Sequence, residues 1–259
     1  LQALVDGYGT VLLQPGEYEL KSPLVLHRAV TLQATAPGVT LRFQQSASSA
    51  PWTAAIKVHA SHTSLEGFAV RFSGPVRWAE GIDGGGAVIG ASDNLDPFIA
   101  DPKYDIVLRG LDLESPPASS AWEEAAHLVR FHKAANGRIE DNTLRGGYIW
   151  IENGPWLIAH NHYTGTPVNT FATTVFTARF ANDLVLSDNR AEVLGPSGKT
   201  WRFLVLSQGG YGVQVARNTV VNIGPMDGDT VEHPNASETI LTEAYRLRFE
   251  GRPLAVSND

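Results

Sequence analysis

The chain has no cysteine, a single methionine and no apolar run long enough to cross a bilayer. Without cysteine, disulfides and thiolate metal sites are excluded, and a spanning helix would need about 20 consecutive apolar residues. Basic residues are also scarce: 20 Lys and Arg against 27 Asp and Glu leave a net charge of −7. Nucleic-acid binders usually carry a basic face, so this balance argues against one. No signal peptide is visible, and Leu1 rather than Met opens the chain. That suggests a mature or trimmed chain and leaves the compartment open.

What is present is turn chemistry and apolar residues. The 259 residues include 25 glycines and 15 prolines, and 43 % are hydrophobic. That is ample for a core interrupted by many turns. Repeat folds and barrels reach this length as one unit.

The segment GRIEDNTLRGGYIWIENGPWLIAHNHYTG, 137–165, restates itself: Ile139-Glu-Asp-Asn142 returns as Ile158-Ala-His-Asn161. An apolar residue three places before an Asn recurs at Ile139/Asn142, Ile158/Asn161, Leu186/Asn189 and Val215/Asn218. Successive asparagines are 19, 28 and 29 residues apart. Earlier copies fill the Asn slot with an apolar residue, at Leu65/Phe68 and Leu108/Leu111. Around these anchors lie short alternating segments bounded by Gly, Asn, Asp or Pro: 56–58, 148–152, 175–180 and 213–216. They read as strands.

Strands this short, with no long helical pattern between them, predict a solenoid whose coils each supply three strands and three turns. Strands of successive coils then pair in parallel about 4.8 Å apart, and an Asn at the same bend of each coil can bond to its neighbours above and below.

GTVLLQPGEYELKSPLVLHRAVTLQA and AAIKVHASHTSLEGFAV, together with the Asn-bearing bends, resemble the pectate-lyase-like right-handed parallel β-helices over nearly the whole chain. The resemblance implies an all-β, right-handed parallel β-helix of three-strand coils. That scaffold hosts lyases, hydrolases, epimerases, tailspikes and adhesins. The chain lacks the pectate lyase signatures and the clustered aspartates of polygalacturonases, so no catalytic residue is carried over. A secreted, periplasmic or cell-surface location follows from the resemblance.

Leu1, Leu4 and Val5 have helical spacing and suit a short helix capping the first coil. At the other end, TILTEAYRLRFEGRPLAVSND breaks off after what looks like another coil. A solenoid stopping there would expose a strand edge. The reading is therefore one β-helix domain over 1–259, truncated or continuing past Asp259. Two excursions interrupt the coils, at 91–105 and 115–124; Ser120 and Glu123 have capping-box spacing, but the neighbouring coils require a strand over 127–132.

Alternation assigns the outer side chains. Ile149 and Ile151 point in, so Tyr148, Trp150 and Glu152 point out. Val129 and Phe131 point in, leaving Arg130 and His132 outside; Phe176, Ala178 and Phe180 point in, leaving Thr177 and Arg179 outside. Glu243 is expected outside, and Arg202 has two defensible registers. Stacked on successive rungs, these predict an exposed ridge of His132, Glu152 and Arg179 as candidate catalytic residues. Arg130, Tyr148, Trp150, Arg202 and Glu243 are candidate substrate contacts. Exposed charges at alternate positions are equally what any solvated sheet displays.

Arginine pairs a uronate carboxylate bidentately, and a tryptophan face can stack on a sugar ring, so the expected partner is an acidic polysaccharide. A glycosidase needs two carboxyl groups about 5–9.5 Å apart. Glu152 and Glu243 sit on strands about three rungs apart, on the order of 14 Å. A hydrolase would need a further carboxylate from Asp93, Asp96, Asp101, Glu123 or Glu124. A lyase needs cations beside the uronate and a base for the adjacent proton, which His132 beside Glu152 and Arg179 could supply. The leading expectation is β-elimination of an acidic polysaccharide. A glycoside hydrolase and a non-catalytic carbohydrate-binding or adhesin-like β-helix are the alternatives.

Other motifs read as structure. GIDGGGAVIG, 81–90, departs from GxGxxG spacing and suits a loop or close backbone approach. His160 and His162 flank Asn161 without a clear third metal ligand. No metal centre or other cofactor is expected, although Asp183 and Asp188 could contribute to a Ca²⁺ site or simply serve turns. Asn235-Ala-Ser237 is a glycosylation sequon.

Overall fold

The computed structural model describes residues 1–79, 86–91, 102–117, 127–165, 174–193, 202–207, 212–221, 231–232 and 248–250. Among the described residues its strands are short and pair in parallel with strands of the coils above and below, not with their immediate sequence neighbours. One coil runs Gly137–Glu140, Thr143–Arg145, Ile149–Glu152, and the next repeats the path as Trp156–Ala159, His162–Gly165, Thr174–Arg179. Among the described residues, the first strands form one eight-stranded sheet, the second a nine-stranded sheet and the third an eight-stranded sheet. The fold is a right-handed parallel β-helix.

Registration explains the sequence repeat. Val11, Leu32, Leu65, Leu108, Ile139, Ile158, Leu186 and Val215 pair rung to rung in one column of the first sheet. All are buried. The third sheet contributes a second column, Leu24, Ile56, Ile89, Val129, Ile149, Phe176 and Leu204. Each fully buried side chain of this kind stabilises the fold by about 1.5–3 kcal/mol, and its identity is set by its place in the column.

From the coil that begins with Thr63–Glu66 onward, the bend from first to second sheet is two residues long. Its first residue is left-handed, at Asp141, His160, Asp188 and Arg217 (φ 53–59°) and at Gly67 and Gly110. Its second is the buried slot. Asn142 Nδ2 donates to Asn161 Oδ1 at 2.8 Å, Asn161 Nδ2 to Asn189 Oδ1 at 2.9 Å, and Asn189 Nδ2 to Asn218 Oδ1 at 2.9 Å. Each acceptor oxygen also takes the backbone N–H of the Asn one coil before. Phe68 and Leu111 fill the same slot in earlier coils, and Leu111 N donates to Asn142 Oδ1 at 2.9 Å. The ladder therefore satisfies backbone groups that the turn takes away from the sheets.

A helix, Gln2–Gly7, stands at the start. Val5 is buried and Leu1 packs against the core, but Leu4 is 47 % exposed, so the apolar face is narrower than its spacing suggests. Gln2 fixes the helix to the first coil: its Oε1 accepts from Val25 N at 2.9 Å and its Nε2 donates to Val25 O at 2.8 Å. One side-chain amide thus fills the backbone pairing of an edge strand. No helix among the described residues is long and apolar enough to cross a membrane.

The glycine-rich 81–90 segment lies partly outside the described residues. At its end, a Cβ on Gly86 would meet Trp78 at 2.3 Å and the carbonyls of Thr53 and Trp52 at 2.8 Å, the expected close backbone approach. Ala87–Gly90 then continues as a strand.

Candidate functional site

Strands of the third sheet end where the chain turns left-handed, at Lys133 (φ 46°), Asn153 (φ 63°) and Phe180 (φ 51°). The last residue before each bend is His132, Glu152 or Arg179. Glu152 pairs in register with Arg179, and Phe131 with Ile151, so His132 follows onto Glu152. Three ionisable side chains are thereby stacked on consecutive rungs at one corner of the coil. Two residues back, Arg130, Trp150 and Thr177 form the neighbouring column.

The two columns interlock through Glu152 Oε1. His132 Nδ1 lies 3.0 Å from it, Trp150 Nε1 donates to it at 3.3 Å, and Arg179 NH1 is 3.5 Å away. The His132 approach is short but not aligned as a hydrogen bond, and it becomes an ion pair only when the ring is protonated. On the other side of the imidazole, Arg130 Nε donates to Nε2 at 2.8 Å. An arginine cannot act as acceptor, so Nε2 must offer its lone pair, and the proton of the neutral ring belongs on Nδ1, facing Glu152.

Burial, the largest single influence, pushes the Glu152 carboxyl up. His132, Trp150 and Arg179 together outweigh it and leave the group below its ordinary range. Among the described residues the groups acting on Glu152 include no second carboxylate.

The structure thus brings together His132, Glu152, Arg179, Arg130 and Trp150, with Tyr148 6.5 Å from Trp150 between ring centroids. It differs from the expected exposed ridge in one respect. His132 is 3 % exposed, Glu152 2 %, Arg130 2 % and Arg179 8 %, while Tyr148 and Trp150 are half-buried. Alternation reports which side of a sheet a residue occupies, and gives no information on whether that side meets solvent.

Phe180 also departs from expectation. The strand stops at Arg179, the next residue is left-handed, and Phe180 emerges 42 % exposed rather than entering the core. Its ring centroid lies 5.3 Å from Arg179 Cζ, a cation–π contact. Arg202 opens a strand and pairs with Thr174. Glu243 and the loop carboxylates Asp93, Asp96, Asp101, Glu123 and Glu124 lie outside the described residues, as does most of each excursion.

One member of the cluster is missing from the sequence reading. His127 is fully buried, with its ring 4.1 Å from Tyr148 and 5.8 Å from Trp150. Counting back by twos from Val129 would send it inward. However, the N–H groups of Leu128 and Val129 both reach the Tyr148 carbonyl, at 2.8 and 3.5 Å. Two residues face one there, and the alternation slips.

Elsewhere, Arg217 grips Asp188 through Nε at 2.7 Å and NH2 at 2.6 Å. That hydrogen-bonded guanidinium holds the Asp188 carboxyl below its usual range. Asp183 and Asp188 both occupy left-handed bends, and among the described residues no group of three potential ligands forms a metal site.

Comparison with protein-family models, with curated proteins and with solved structures finds no match in any of the three.

Proposed function

We propose that the protein is a carbohydrate-active β-helix of the pectate-lyase-like superfamily, acting outside the cytoplasm and cleaving an acidic polysaccharide by β-elimination at the outer face of the third sheet. The observation that carries this reading is the contact of one carboxylate with a histidine, an arginine and an indole on adjacent rungs.

In this scheme Arg179 neutralises the uronate carboxylate, which acidifies the neighbouring C–H. His132 Nε2 takes that proton as its hydrogen bond from Arg130 Nε breaks. The C–H electron pair becomes the new C=C bond, the glycosidic C–O bond breaks, and the departing oxygen takes up a proton from solvent. Glu152 keeps the Nδ1 side of the imidazole oriented, and Trp150 and Tyr148 offer faces for sugar rings. The hydrolase alternative is weaker because Glu152 lacks a carboxylate partner among the described residues.

A second reading follows from the deep burial of Arg130, His132 and Glu152: a non-catalytic glycan-binding β-helix in which this cluster braces the corner. The two are separated by incubating the protein with a polyuronate and with its carboxyl-reduced form. The lyase reading expects absorbance of an unsaturated uronate from the first alone. Binding of the polyuronate with no such absorbance would select the second reading.

A further inference from the structure

Left-handed backbone is costly for a bulky side chain, because Cβ crowds the following carbonyl, and Gly or Asn is the residue that ordinarily takes it. Three third-sheet strands close on such a residue: Lys133, Asn153 and Phe180, with φ of 46°, 63° and 51°. Lys133 and Asn153 are half-buried, whereas Phe180 is 42 % exposed. A phenyl ring there has little stability to offer. Its backbone is strained, and much of its apolar surface stays in water.

What the ring does have is a place beside the charged corner. Phe180 directly follows Arg179, whose NH1 lies 3.5 Å from Glu152 Oε1, and Glu152 in turn meets His132. Arg179 Cζ stands over the Phe180 ring, 5.3 Å from its centroid. The guanidinium against one face restrains the ring. Trp150 and Tyr148 are half-buried in the same region, so Phe180 is the more accessible aromatic.

We infer that Phe180 is a sugar-stacking platform at the rim of this corner, holding the C–H face of one pyranose ring of the glycan. It rests on the acidic-glycan reading and adds to it a binding residue and the part of the sugar that residue takes. The C–H bonds of a pyranose carry slight positive charge and suit the negative face of an aromatic ring. A ring already restrained by Arg179 loses little freedom on binding. The platform requires no buried side chain of the cluster to move. It reads the flat apolar face of a sugar and not its charge, which makes it a contributor to affinity and not a catalytic residue.

Phe180→Asn tests this in the full-length chain, since Asn is at ease in left-handed backbone and stands at the equivalent position, Asn153, one coil earlier. Its urea midpoint should equal or exceed that of the wild type, while its affinity for a galacturonate trimer should fall on the order of tenfold. Phe180→Tyr keeps the ring and should bind as the wild type does. In the wild type saturated with trimer, nuclear Overhauser contacts should join the Phe180 ring protons to sugar C–H protons. Unchanged affinity in Phe180→Asn overturns the platform and leaves the glycan reading standing. An affinity loss without those contacts overturns it too, because the ring would then act only through Arg179. A lower urea midpoint in Phe180→Asn would show that the ring is there for packing, which removes the premise. If the wild type binds neither the galacturonate trimer nor its carboxyl-reduced form, the glycan reading fails, and the platform with it.

Discussion

Asn161 donates its side-chain N–H to Asn189 Oδ1 at 2.9 Å and accepts from Asn142 through its own Oδ1 at 2.8 Å, so each asparagine is both a donor and an acceptor in one buried line. Asn161 Nδ2 also serves the carbonyls of Ile139 and Ala159. Removing a middle member leaves donors on one side and acceptors on the other without partners. Asn161→Ala is expected to lower stability by about 3–5 kcal/mol, measured as a fall in the urea midpoint. A loss under about 1 kcal/mol would mean that water replaces the ladder at little cost.

Gly137 is irreplaceable for a different reason. A Cβ there would lie 2.1 Å from the Trp156 ring. Trp156 is buried, stacks on Phe131 at 5.6 Å and donates to Ala134 O at 3.0 Å, so it has nowhere to retreat. Gly137→Ala should destabilise by about 3 kcal/mol and change the Trp emission in the native state. Wild-type stability with unchanged emission would contradict the packing described for this corner.

Glu152 sets a pH dependence whose sign is fixed. Burial raises its pKa, but His132, Trp150 and Arg179 lower it further, leaving the folded value below the ordinary 4.5. A carboxyl whose folded pKa is depressed adds stability that is complete above the unfolded value and is lost as pH falls through the folded one. The wild-type urea midpoint should therefore drop on acidification below about pH 4.5. Glu152→Gln, which cannot ionise, should drop less over the same window. Parallel curves for the two proteins would show that Glu152 is not the ionised hub of the cluster.

Arg179 separates a charge effect from a bidentate one. Arg179→Ala should reduce turnover of a polyuronate by a factor on the order of 10²–10³, the scale expected for removing one preorganised donor. Arg179→Lys should recover only part of it, because a point charge replaces a fork. Circular dichroism of both variants checks that the coil remains folded. Full activity in Arg179→Lys would argue that charge alone suffices.

Much of this architecture was legible in the sequence because a stacked coil writes the same requirement at the same place each time. The apolar residue three before each Asn marks the innermost column of the first sheet, and the Asn marks the bend, so Ile139/Asn142 and Ile158/Asn161 needed no further information. Alternation was likewise enough to set His132, Glu152 and Arg179 on neighbouring rungs. It failed where the backbone left the period of two. At Phe180 a left-handed bend ends the strand one residue early, and at Leu128 and Val129 two N–H groups share one carbonyl, which brings His127 beside Tyr148. The burial of the charged corner was not legible either, since a period of two separates inside from outside but does not say what lies against the outside.

The most direct test of the account is the mass of what the protein makes from a panel of acidic and neutral polysaccharides. β-Elimination predicts oligosaccharides from uronate polymers that are lighter by one water than their hydrolysed counterparts, and none from neutral polymers. Fully hydrated fragments, or no fragments from any member of the panel with the protein folded, would contradict it.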